Sequence, residues 1–253
     1  MSRLTHSEHL AELRTSLVRL EEIASGDLSA DVPTCPGWQL RSLFGHLGRV
    51  HRMALAVIST GAMSPASPKE LAPPPDNDTD LRAYFRSSSV QLLHDLEVTD
   101  PGSPCWTFLG TGDEVRFWSR RMAHEHTVHL YDGLRVRESD PLLPVSPRSA
   151  CDAIDEYVLI ANGRGLAKRP DFDLGGTLHL HATDTDEGEW MLSSEPCKLV
   201  VEAGHGKGTA AVRGKAVDIL LGLWGRHDLA SDARYEHFGS NAVIAAMAGI
   251  GGT

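Results

Sequence analysis

Leu10, Leu13, Leu17, Leu20 and Ile23 recur at intervals of three or four residues, the spacing that lines one face of an α-helix. Thr5 and Glu8 precede this stripe at capping-box spacing, and Gly26 beyond it suits a helix stop. A second stripe, Leu40, Leu43, Phe44, Leu47, Val50, Ala54, Val57 and Ile58, predicts a helix from about Trp38 to Ser59. It follows the turn-forming stretch "DVPTCPGW", where Pro36 suits a helix opening. The connector "GAMSPASPKELAPPPDND" has no periodicity. Beyond it, Leu81, Phe85, Leu92, Leu93 and Leu96 predict a third helix starting near Asp80. A fourth runs from about Val115 to Leu134. Four amphipathic helices joined by loops predict a helical bundle.

The pattern changes after the proline-rich "RESDPLLPVSPRS". A domain boundary placed there divides the chain into a bundle, 1–140, and a smaller α+β domain, 141–253. A short helix, about Ala150 to Asn162, leads into "GTLHLHATDTDEGEWMLS". There Leu178, Leu180 and Ala182 alternate with His179 and His181 before an Asp-Glu-Gly turn, which predicts a β-hairpin. "CKLVVEAG" and "TAAVRG" read as further strands and "KAVDILLGLWGRH" as a helix. "NAVIAAMAGIGG" reads as a terminal helix or apolar tail. The expected fold class is α+β with two domains.

Composition narrows the function. The 253 residues are 41% hydrophobic, enough for a packed core, and a formal net charge of −10 argues against a nucleic-acid partner, which calls for a basic surface. Cys35, Cys105, Cys151 and Cys197 are scattered without a C-x-x-C pair, as expected for buried thiols in a reducing cytoplasm. No apolar signal segment and no run long enough to span a bilayer is evident, so neither export nor a membrane partner is expected.

Candidate chemistry concentrates in "RRMAHEHTVHLYD", residues 120–132. On a helix, Trp118, Met122, Glu125 and His129 share one face, and the first two mark it as inward. A carboxylate and an imidazole continuing an apolar stripe call for a partner, and a metal ion would satisfy both. His124 and His129 diverge by about 140° at 3.6 residues per turn. Val128 stands where H-E-x-x-H would place its second histidine. His126, three residues before His129, is the rival ligand. His46, at the edge of the second helix's apolar face, is the best third donor. Two histidines and a glutamate leave one coordination position open, the composition of catalytic zinc. A histidine near a core face is also commonly held by hydrogen bonds alone, so spacing leaves both readings open.

"VPTCPGWQLRSLFGHLGRVHR" followed by "RRMAHEHTVHLYD" resembles the mycothiol-dependent maleylpyruvate isomerase family, within the wider DinB-like group of metal-binding four-helix bundles. "AAVRGKAVDILLGLWGR" resembles that family's C-terminal domain, which is sterol-carrier-protein-like. The resemblance implies a divalent metal, usually zinc, at His46, Glu125 and His129. It also implies mycothiol as thiol cosubstrate and a small electrophile as substrate. In the family's reference activity, mycothiol adds to the double bond of maleylpyruvate, and rotation and elimination give fumarylpyruvate. The same activated thiolate would also serve an S-transferase. The alternatives are a non-catalytic metal-containing protein that binds a small ligand, and a metal-dependent hydrolase. The pattern gives neither the electrophile nor the oligomeric state.

Other residues receive plainer expectations. Arg226 and Arg213 are the arginines best suited to anchor thiol or substrate, with salt bridging or helix capping as competing roles. Arg82 is weaker in that role. Cys35 has no base spaced to activate it, and Trp38 is expected to anchor the core. His179 and His181 are expected on an exposed strand face. Asp132 is expected to end the fourth helix or to support a ligand histidine.

Overall fold

The computed structural model describes residues 4–250, apart from 68, 70, 111, 167, 168 and 249. The chain forms two compact units, Thr5–Leu143 and a second one from Pro144 onward. The first holds four helices: α1 (His6–Ala24), α2 (Leu40–Ile58), α3 (Asp78–Val98) and α4 (Val115–Leu134). α1 opens on the expected capping box, with Glu8 N donating to Thr5 Oγ1 at 3.3 Å and Thr5 N donating to Glu8 Oε2 at 2.7 Å. α1 packs chiefly on α4 and α2 on α3, while α2 and α4 meet over a smaller face. The predicted apolar stripes supply the core. Leu13, Leu20, Leu43, Leu47, Leu92 and Leu96 are wholly buried, and Phe44 and Phe85 meet edge to face at 5.0 Å.

α2 starts two positions later than its stripe suggests. Pro36 sits in a turn instead of opening the helix. Gly37 takes φ +82°, and Val32 N and Trp38 N donate to the carbonyls of Trp38 and Cys35, each at 2.9 Å. This closed loop uses up backbone groups that a helix would need, and it leaves Gln39 as the cap of α2. Asn77 starts α3, its side chain accepting from Asp80 N at 2.9 Å. Arg82, near the start of α3, donates to Ala24 O and Gly26 O, each at 2.8 Å, and so caps the C-terminal end of α1.

The second unit begins with α5 (Pro147–Ile160), capped by Ser146 with proline in its first turn, followed by a π-helical turn at Ala161–Gly165. The strands are β1 (Leu178–Ala182), β2 (Glu189–Glu195), β3 (Lys198–Ala203), β4 (Ala210–Gly214) and β5 (Glu236–Gly239). α6 (Ala216–Leu223) follows β4, and α7 (Asn241–Met247) follows β5. The spatial order is β3-β2-β1-β4-β5, with β1 and β4 parallel and the other neighbours antiparallel. Leu178, Leu180, Ala182, Trp190, Leu192 and Val212 point from one sheet face into a core shared with α5, α6 and α7. β5 is not among the strands expected from the pattern. Its four residues, Glu-His-Phe-Gly, are too short and too exposed to carry an apolar alternation. Of the expected apolar tail, residues 249, 251 and 252 lie outside the described residues.

Candidate metal centre

Trp118 and Met122 are wholly buried, and the same face of α4 continues through Glu125 to His129. His46 of α2 lies opposite. Its Nε2 is 2.9 Å from Glu125 Oε1, and His129 Nε2 is 3.5 Å from the same oxygen. The His46 and His129 ring centroids are 4.9 Å apart. One donor atom from each of the three side chains falls within 4.8 Å of the others. Side-chain exposure rises from 7% at His129 through 14% at Glu125 to 35% at His46, so the group opens to its surroundings on the His46 side.

His129 and Glu125 are fixed from behind. His129 Nδ1 lies 2.8 Å from Asp132 Oδ2, and a carboxylate only accepts, so Nδ1 carries the proton and Nε2 turns its lone pair toward Glu125. Asp132, wholly buried, also accepts from Thr34 Oγ1 at 2.6 Å and Cys35 Sγ at 3.4 Å. Cys35 therefore acts as a donor to this carboxylate, and the turn that delays α2 is what brings it there. Arg121, one helical turn before Glu125, forms an ion pair with Glu125 Oε2 and leaves Oε1 facing the two imidazoles. Trp38 is half-buried rather than a core anchor. Its ring stacks on His129 at 6.1 Å and 15° and leans on His46 at 5.3 Å.

The other histidines of the stretch look elsewhere. His124 meets His9 of α1 edge to face at 5.4 Å. His126 Nδ1 is 2.6 Å from Met122 O, and its Nε2 is 2.6 Å from His51 Nε2. His51 Nδ1 is 2.9 Å from Ser88 Oγ. Burial pushes His51 well below the usual imidazole range and holds His126 down to about 3. The Met122 carbonyl only accepts, so His126 Nδ1 is protonated and its Nε2 accepts. His51 Nε2 then donates, and its Nδ1 faces the Ser88 hydroxyl, which also lies 2.9 Å from Tyr84 O and 3.0 Å from Phe85 O.

In the second unit, Arg213 forms an ion pair with Glu236 at 2.9 Å, both side chains exposed. Arg226 donates from its backbone to Leu221 O at 2.8 Å and from its guanidinium to Trp224 O at 2.7 Å, which closes the end of α6. His179 is buried rather than exposed.

Spacing reached His46, Glu125 and His129. It did not reach Arg121 or Trp38. The signal for Arg121 was present in its four-residue separation from Glu125. Trp38 gave none, since its direction depends on the turn before it.

The donor set, two imidazole nitrogens and one carboxylate oxygen with a buried carboxylate behind one imidazole, suits a divalent transition metal. Among the described residues no helix is long and apolar enough to cross a membrane. The Mycothiol maleylpyruvate isomerase N-terminal domain family matches residues 9–132, and the MDMPI C-terminal domain family matches residues 148–246. The crystal structure of the mycothiol-dependent maleylpyruvate isomerase is similar at a TM-score of 0.64 and 15% identity, covering 94% of this chain and 95% of that one. A histidine-to-alanine mutant of the mycothiol-dependent maleylpyruvate isomerase gives a TM-score of 0.63 at 16% identity, covering 90% and 93%. At these identities the likeness is one of fold. A comparison with curated proteins gives no match.

Proposed function

The chain belongs to the mycothiol maleylpyruvate isomerase family, and from that premise we propose that it is an enzyme of metal-dependent thiol chemistry. It acts on a small electrophile as a cis-trans isomerase or an S-transferase, with mycothiol as cosubstrate. The supporting observation is the convergence of His46 Nε2, Glu125 Oε1 and His129 Nε2, backed by Asp132 and Arg121.

In this reading His46, Glu125 and His129 hold a divalent metal, with zinc the best match to the donor set. When bound, such an ion supplies Lewis acidity that keeps a thiol deprotonated near neutral pH. The protein's own residues do the rest. Asp132 holds the His129 Nδ1 proton, so that ring cannot turn its lone pair away. Arg121 offsets the charge of Glu125 on the side away from the imidazoles. Trp38 covers His129 and leaves His46 as the open edge, where thiol and electrophile would enter. For holding a carboxylate or the polar body of the thiol we keep Arg226 ahead of Arg213; the first donates to Trp224 O and the second pairs with Glu236.

The test is a chromatographic assay of the metal-loaded chain with mycothiol and maleylpyruvate, then with other electrophiles. The expected product forms only when thiol and metal are both present. Turnover of an ester or amide without thiol would replace this reading with a hydrolase. Arg226→Ala should raise the KM for thiol or electrophile and leave metal content unchanged.

A further inference from the structure

A second group of metal-ligating side chains lies wholly within the α+β unit. His179 and His181 alternate with core residues along β1, so both rings stand on the sheet face opposite the core. Glu189 is the cross-strand partner of His181 on β2, and Met191 is that of His179. His205 comes from the loop between β3 and β4. That loop lies close on the sheet: a Cβ on Gly206 would stand 3.0 Å from the Met191 sulfur, so only glycine fits there without displacement. One donor atom from each of His179, His181, Glu189 and His205 falls within 4.8 Å of the others.

Hydrogen bonding within the group is incomplete. His181 Nδ1 is 2.8 Å from Glu189 Oε1, and His205 Nδ1 is 3.2 Å from Oε2. His179 Nε2 is also aimed at Oε2 but stops at 3.8 Å, too far for a hydrogen bond. That nitrogen is buried with no hydrogen-bond partner, on a side chain only 7% exposed. A buried polar atom without a partner is costly, and native proteins seldom leave one. That nitrogen points at a carboxylate that already gathers two other imidazoles, which is the arrangement of ligands around a shared cation. Arg213, the β4 neighbour of His181, is near enough for its charge to act on His179, and its ion pair with Glu236 offsets part of that charge.

We propose that His179, His181, Glu189 and His205 form a second divalent-metal site, of zinc-like preference and structural type. Three imidazoles and one carboxylate fill a tetrahedral shell, so no position is left for substrate. Tetrahedral ligands about 2.0–2.2 Å from an ion lie roughly 3.3–3.6 Å from one another, so small side-chain rotations suffice from the spacing seen. The ion would join β1 and β2 to the glycine-rich loop and satisfy His179 Nε2.

The test uses the untagged full-length chain, stripped of metal and titrated with cobalt(II) under visible absorption. In the Glu125→Gln/His129→Ala variant, which disables the bundle's candidate centre, one equivalent should still bind with the intense d–d band of tetrahedral cobalt. Adding His205→Ala or His181→Ala, both on partly or fully exposed side chains, should abolish that band with the circular dichroism spectrum unchanged. His205→Ala alone should keep the bundle's equivalent, so failure at one site is distinguishable from failure at the other. The proposal is overturned if Glu125→Gln/His129→Ala binds no cobalt, or if its band survives both additional substitutions.

Discussion

The candidate centre in the bundle depends on single protons and single charges. His129 presents Nε2 because Asp132 accepts the hydrogen bond from Nδ1–H. Asp132→Asn keeps the shape and an acceptor but removes the charge that makes the imidazole a better donor. Metal affinity measured by competition with a chromophoric chelator should fall about 10–100-fold, the usual cost of losing such a supporting carboxylate. Glu125→Gln and His129→Ala should each lower bound metal far more than His124→Ala, because the His124 ring packs on His9. Elemental analysis of the purified variants decides this, and equal losses for His124 and His129 would mean the wrong face of α4 was chosen. At this scale the sequence was legible wherever a fixed helical period set direction, as for Glu125 and His129. It was silent on Trp38, whose stacking on His129 follows from a turn with Gly37 at φ +82°.

At the scale of elements, the His51–His126 pair ties α2 to α4 beside the candidate centre, and Ser88 ties α3 to the same relay. Both rings are held neutral by burial, while an unfolded histidine titrates near 6.5. Below pH 6.5 the unfolded chain takes up protons that the folded chain refuses. The pair's contribution is therefore present above pH 6.5 and is lost as pH falls beneath it. Melting temperatures followed by circular dichroism should drop from pH 7 to pH 5, and His51→Asn should lower the value at pH 7 while making that slope shallower. An unchanged slope would assign the acid sensitivity to other groups. Ser88→Ala leaves His51 Nδ1 without its hydroxyl partner and should destabilise the fold by about 1–3 kcal/mol in urea denaturation. Helix periodicity made all four bundle helices readable, and the capping box gave the start of α1, whereas the start of α2 and the edge strand β5 were not readable. The α2 start depends on the turn before it, and β5 is four residues long with no buried stripe.

For the whole molecule, the two units and their family membership explain why one chain changes period midway, from helical stripes to strand alternation. The fold class was legible because each unit buries its own patterned core. The electrophile was not, because a substrate is selected by individual side chains around a site, and no repeat in the sequence marks them. The central proposal is that His46, Glu125 and His129 together hold a metal at which a thiol is kept as thiolate. Cobalt(II) titrated into the chain, in a His205→Ala background that leaves only the bundle's centre, makes this visible. Adding mycothiol should produce an intense near-ultraviolet sulfur-to-cobalt charge-transfer band and release a proton to the buffer, and both should vanish in Glu125→Gln/His129→Ala. A cobalt spectrum that mycothiol leaves unchanged, with no proton released, would contradict the account.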